Sequence, residues 1–150
     1  EKLLPYKIIQ KGPLKIGILG VGIELDGLVP EKLCKGVTYA DPVESANKQA
    51  TILKGAGCHL IICLSHLGYQ YGSNKVSDRL LAEKSTYIDI ILGGHTHTFM
   101  EQPAYVKNML GKPVIINQVG WAGLLIGRLD VHFSAKGEKK GIFSHTVNVE

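Results

Sequence analysis

His66, His95 and His97 each lie just past a short apolar run, and Gly93-Gly94 leads directly into the last two. Imidazole is the commonest protein ligand for zinc and serves manganese, iron and nickel as well. A lone histidine at a strand end is ordinarily a surface or turn residue, and Gly-Gly-His-Thr-His read by itself is a polar turn. Three histidines brought to one edge of a sheet make a metal-binding constellation. Gly93 and Gly94 fit that chemistry, because missing side chains let the backbone turn sharply and approach an ion.

Those positions form a site only if the strands that carry them lie side by side. Residues 59–64 and 88–92 are near-continuous apolar runs, the mark of strands covered on both faces. Between them Ser77 caps a helix expected to run to about residue 87, with Leu80, Leu81 and Lys84 at helical spacing. Upstream, residues 6–10 and 14–19 read as strands split by the turn Lys11-Gly12-Pro13, and a polar loop spans residues 20–39. Asp41 then caps a helix, with Pro42 at its first position and Glu44 reaching back. Ala46, Ala50, Leu53 and Lys54 continue that helix until Gly55 and Gly57 end it.

The order strand, helix, strand, helix, strand calls for parallel pairing through right-handed crossovers. In such sheets functional groups gather past the carboxyl ends of the strands, so His66 would meet the His95 and His97 loop. After Thr98 the texture changes. Residues 114–119, 124–133 and 142–149 read as strands with no helical pattern between them. Leu125, Gly127, Leu129, Val131 and Phe133 alternate with Ile126, Arg128, Asp130 and His132, as in a half-buried antiparallel strand. The expected fold class is α/β: a parallel βαβαβ portion followed by antiparallel strands, one domain or part of one over residues 1–150.

Composition permits this and closes other routes. With 150 residues, 45% of them hydrophobic, the chain can bury a core. The net charge of +4 is scattered except at Lys136-Gly137-Glu138-Lys139-Lys140, a solvated turn, so a nucleic-acid polymer is not an expected partner. No apolar run is long enough to cross a bilayer. The opening Glu1-Lys2-Leu3-Leu4-Pro5-Tyr6 has neither a long apolar stretch nor an initiator Met, so a piece of a longer chain is expected. Cys34, Cys58 and Cys63 are odd in number, which excludes a complete disulfide framework. Cys58 and Cys63, read as five apart on one strand, point to opposite faces and are expected to be buried free thiols.

Other motifs fall away. Gly17, Gly20 and Gly22 resemble a dinucleotide loop, but Leu25 stands where the third glycine belongs. Ser65 and His66 are adjacent, and no acid is expected in position to orient them as a nucleophile and base. His59 is expected to be structural, His132 solvated and His145 partly buried in packing, while Trp121 and Gln118 read as core or rim residues that could line a pocket.

Leu64-Ser65-His66-Leu67-Gly68, Asp78 with Leu81-Ala82, and the stretch from Asp89 through Gly93-Gly94-His95-Thr96-His97-Thr98 together resemble the last two metal motifs of the calcineurin-like metallophosphoesterases. Residues 114–120 and Gly127-Arg128-Leu129-Asp130 resemble the 5′-nucleotidase branch. The resemblance implies that this chain is the C-terminal half of a four-layer αββα metallophosphoesterase sandwich. It implies two divalent ions, zinc, manganese or similar, with His66 and His95 on the second and His97 on the first.

The family's Asp-x-His, Gly-Asp and Gly-Asn-His motifs, which supply the bridging carboxylate and the catalytic histidine, precede this region and do not occur here. None of Asp26, Asp41, Asp78, Asp89 or Asp130 sits at a strand end suited to replace that carboxylate. No catalytic residue is therefore expected in this chain, its substrate-binding residues stay unassigned, and by itself it should hold metal partially or not at all and be inactive. The resemblance implies hydrolysis of a phosphate monoester by the parent protein, first of all a nucleoside 5′-monophosphate. Cyclic-nucleotide phosphodiesterase, sugar-nucleotide hydrolase and a non-catalytic binding domain are the alternatives. It also implies a periplasmic or extracellular address. The surface left by the absent half, at strand 14–19 and the faces of 61–64 and 88–92, would favour a homodimer or larger assembly.

Overall fold

The computed structural model describes residues 3–149; Glu1 and Lys2 of the opening stretch, and Glu150, lie outside them. A hairpin comes first: β1 (Tyr6–Lys11) and β2 (Leu14–Gly22) pair antiparallel across Gly12-Pro13, with Gly12 at a φ of 57° that favours glycine. A loop holding the one-turn helix α1 (Glu31–Cys34) leads to α2 (Pro42–Gly55). Asp41 caps α2 by accepting the Glu44 N–H at 2.8 Å, as the sequence pattern requires.

The chain then runs through β3 (Leu60–His66), α3 (Asp78–Lys84), β4 (Ile90–Leu92), β5 (Ala104–Lys107) and β6 (Pro113–Asn117). These strands form one sheet in the order β1-β2-β3-β4-β6-β5. β2, β3, β4 and β6 are mutually parallel, and the antiparallel β1 and β5 close the two edges.

One face of this sheet is covered by α2 and α3. Leu19, Ile61, Cys63, Ile91 and Ile116 meet Ala46, Ala50, Leu53 and Leu81 there in the main core. The other face meets a separate hairpin, β7 (Leu125–Phe133) paired with β8 (Lys139–Asn148). Leu129, Val131, Phe133 and Ile142 pack from it onto Leu60, Ile90 and Ile115. The layers are helices, mixed sheet and hairpin, so the α/β class and the parallel half expected from sequence are both present.

Several details differ from the sequence reading. β5 was not foreseen, because Ala104–Lys107 is a four-residue edge strand with too few positions for a period to register. β6 joins the parallel set through β4 instead of the antiparallel tail. The 14–19 region is no edge, since β1 pairs along its whole length. α3 stops at Lys84, where buried Ser85 turns extended and donates its hydroxyl to the Ala82 carbonyl at 2.9 Å. Cys58 precedes β3, so the alternation rule does not apply to it, and it shares the main core with Cys63. All three cysteines are free thiols, and burial pushes the Cys63 thiol up to about 12, which leaves it inert.

His145 is exposed, contrary to expectation. Its strand face, with Phe143 and Val147, points away from the sheet because Ile142 holds the inner register. No helix among the described residues is long and apolar enough to cross a membrane.

Candidate metal centre

β3 ends on His66 itself, one step earlier than a residue past the strand, and β4 ends on Leu92. The two strands are parallel neighbours with Leu64 opposite Leu92, so His66 and the loop after Leu92 share one carboxyl edge. The rings of His66 and His95 meet there edge to face, their centroids 5.3 Å apart. Gly94 makes room for this: a methyl at its Cα would sit 3.1 Å from His66 Nδ1. His97 is farther along the loop, and its ring stacks on the exposed indole of Trp121 at 5.9 Å. Among the described residues no three His, Cys, Asp or Glu side chains gather into one group able to hold an ion. Two of the three expected ligands are thus brought together, and the third stands apart on the same loop.

The loop has an unusual backbone. Thr96 N–H closes onto the Gly94 carbonyl at 3.0 Å across His95, whose φ is 75°. That is a γ-turn of the rare hand, centred on a residue with a full side chain. His97 is also left-handed, with φ 51°. A non-glycine residue in this region costs about 1–3 kcal/mol and persists only where its surroundings over-determine it. Buried Gln118, just past β6, supplies part of that determination by donating to the Gly94 carbonyl at 2.9 Å and accepting the Thr98 N–H at 2.5 Å. Gly93 N–H extends the ladder to the Asn117 carbonyl at 2.9 Å.

Beneath the loop lies Asp78, fully buried at the first position of α3. Ser65 Oγ donates to its Oδ1 at 2.5 Å, while Oδ2 is buried without a hydrogen-bond partner against Gly93. Desolvation raises its carboxyl to about 6, although the Ser65 bond works in the other direction. Asp78 therefore bonds to the residue before His66 and packs against Gly93 before His95. His95 is pushed towards its neutral form, first by desolvation and then by His66, Lys75 and His97. Neutral imidazole is the form that can ligate.

No family model matches the chain. A snake venom 5′-nucleotidase of Gloydius brevicauda is 32% identical over 148 residues, covering 90% of this chain and 24% of that protein. The structure of a 5′-nucleotidase precursor from Thermus thermophilus superposes with a TM-score of 0.77 at 32% identity, over 96% of this chain and 29% of that one. The calcineurin-like phosphoesterase YfkN of Bacillus subtilis superposes with a TM-score of 0.72 at 26% identity, over 99% of this chain and 52% of that one. Over nearly its whole length the chain is thus similar to one segment of 5′-nucleotidases and of a calcineurin-like phosphoesterase. It spans about a quarter of the length of the 5′-nucleotidases it matches.

By donor type the paired His66 and His95 suit a divalent ion, although they do not by themselves make up a full ligand set. The donors are imidazole nitrogens, His95 is driven towards its neutral form, and the backbone beside His66 is cleared by glycine. Two supporting residues were undervalued in the sequence. Gln118 reads as a core or rim residue that could line a pocket, and its burial places it in the core; Asp78 reads as part of the resemblance motif and as no replacement for the bridging carboxylate. The usable signal was a Gln and an Asp next to elements otherwise apolar, where a buried polar group must find a partner. Of the remaining histidines, His59 is structural as expected, its Nδ1 accepting the Lys15 N–H at 3.1 Å, and His132 packs edge to face on Phe143.

Proposed function

We propose that this chain is the C-terminal half of the metallophosphoesterase domain of a longer protein that hydrolyses nucleoside 5′-monophosphates to nucleoside and phosphate. The observation that carries the reading is the pairing of His66 with His95 at the carboxyl edge of the parallel sheet, with His97 on the same strained loop. In this reading His66 and His95 hold one divalent ion and His97 contributes to a second. Such ions, when bound, neutralise phosphate charge, orient the ester and make water a better nucleophile at neutral pH.

This chain's own residues present imidazole nitrogen donors, fix their direction through the loop backbone, and leave the edge open to solvent for an anionic ligand. Trp121, exposed beside His97, shields one face of that ring and fixes its plane. The bridging carboxylate and the proton donor would come from outside residues 1–150, so the chain by itself is expected to release little phosphate. The names of its relatives support a nucleotide as substrate, and the venom homologues support a location outside the cytoplasm.

Leu64 and Leu92 are exposed on the hairpin side of the sheet, and Leu92 lines a groove of about 710 Å³ between sheet and hairpin. That apolar surface supports contact with the rest of the domain, or self-association when the chain is alone.

The test uses the full-length protein, stripped with a chelator and reloaded with manganese. Phosphate release is followed on AMP, a cyclic nucleotide and a sugar nucleotide. Metal-dependent release from AMP that fails in His95→Ala is the expected result. Turnover indifferent to both chelator and His95→Ala would overturn it, and preference for either other substrate would move the reading to that reaction.

A further inference from the structure

We propose that Gln118 is the positioning residue of the histidine loop: one buried side-chain amide, clamping Gly94, Thr96 and Thr98, holds His95 and His97 in the left-handed conformations that set where their imidazoles point. The bonds flank both histidines. Nε2 donates to the Gly94 carbonyl before His95 at 2.9 Å. Oε1 accepts the Thr96 hydroxyl between the two at 3.1 Å, and the Thr98 N–H after His97 at 2.5 Å. The amide can face only one way, because a carbonyl stands on one side and an N–H on the other.

Each anchor also restrains a turn that strain would otherwise open. The Gly94 carbonyl that Gln118 grips is the acceptor of the γ-turn around His95, so gripping it fixes the turn at its base. Thr96 Oγ1, its proton committed to Gln118, accepts the Tyr69 N–H at 2.9 Å and joins Thr98 Oγ1 at 2.9 Å. Tyr69 follows His66 on the β3 loop, so the clamp couples the two loops that bear the paired rings. Gln118 is itself 1% exposed, immediately follows β6, and therefore has a rigid base. Water cannot readily replace an amide so enclosed. Three bonds from one side chain to one loop are the over-determination that two left-handed histidines need.

The functional weight of the clamp rests on the metal reading above, whereas the clamp itself does not. The test compares Gln118→Met, which keeps the bulk and removes every bond, with Gln118→Glu, which keeps the acceptor for Thr98 and turns a carboxylate on the Gly94 carbonyl. Val114→Ala, a buried β6 change away from the loop, is the control for general loss of stability. All are made in the full-length protein.

In the metal-free state, hydrogen exchange at the Thr98 amide should quicken at least ~10-fold in Gln118→Met, since its acceptor is gone, and much less in Gln118→Glu. Manganese affinity by calorimetry should fall roughly 10–100-fold in both variants, the range for partners that orient a ligand. Val114→Ala should lower the melting temperature and leave affinity per folded molecule unchanged. Thr98 exchange at the wild-type rate in Gln118→Met, or losses no larger than those of Val114→Ala, would overturn the proposal. Should the wild type bind no manganese, the metal reading fails, and the exchange result alone upholds or overturns the clamp.

Discussion

The carboxyl edge of the sheet and the β7–β8 hairpin carry nearly the same side chains, yet the two hold them in opposite environments. The edge has His66, His95, His97 and Asp78; the hairpin has His132, His145, Asp130 and Arg128. On the hairpin the groups sit in water. Asp130 is drawn below the usual carboxylate range, chiefly by its hydrogen bond from Arg128, and His145 lies 3.8 Å from its other oxygen. At the edge Asp78 has been taken out of water, has no cation beside it, and is raised to about 6. Composition cannot separate the two regions; burial, strand-end geometry and backbone strain do.

The sharpest way to break this comparison is to exchange roles between the histidines. His95→Ala in the full-length protein should lower metal-dependent phosphate release more than about 100-fold, beyond what loss of an orienting partner costs. His132→Ala and His145→Ala should leave it unchanged. Initial rates at saturating manganese decide this, and a hairpin variant with the larger loss would reverse the assignment.

A smaller effect distinguishes the two aspartates by pH. Because the folded-state carboxyl of Asp78 is raised above its unfolded value of 3.8, the native state binds the extra proton between that value and about 6. Its contribution to stability therefore declines as pH rises through that window, by roughly 2–3 kcal/mol at most, and stays flat above it. Asp78→Asn should remove this slope in urea titrations at pH 4 and pH 7. Asp130 has the opposite sign, its contribution being lost as pH falls through the lowered folded value. A steeper slope for Asp130 than for Asp78 would contradict the contrast in environment.

Glycines give a third contrast. A methyl at Gly93 would run into the Asp78 carboxylate and close on Gln118 Nε2 at 3.1 Å. Gly93→Ala should therefore cost about 1–3 kcal/mol, as overpacking does in a well-filled interior. On the hairpin, Gly141→Ala meets only Phe143 at ordinary contact distance and should be close to neutral in the same urea melts. The smallest effect belongs to Arg128 and Asp130, an exposed pair whose Arg128→Gln variant should melt with the wild type.

Much of this was legible in the sequence where local rules dominate. Asp41-Pro42 marks its helix start because a cap acts within one turn, and the apolar runs of β3 and β4 announce covered parallel strands. His66 and the Gly93–Thr98 stretch could be located because strand ends in a parallel sheet have a fixed functional side. What stayed hidden depends on contacts distant in sequence. The inner face of β8 was misread because Phe143, Val147 and Ile142 are all apolar, and only the register against β7 decides which turn inward. Gln118 could not be tied to Gly94, 24 residues away, nor Asp78 to Ser65, 13 away, without the fold. Positive φ at His95 and His97 is equally silent, since histidine tolerates that region more than most residues but adopts it only occasionally.

The central claim is that His66 and His95 are paired in order to hold a divalent ion. Its most direct test is the metal content of the full-length protein loaded with manganese and passed through gel filtration, beside His66→Ala and His95→Ala treated alike. The account predicts retained manganese in the wild type, with a marked loss in each variant at unchanged circular dichroism. Wild-type manganese content in both variants, or none in the wild type, would contradict it.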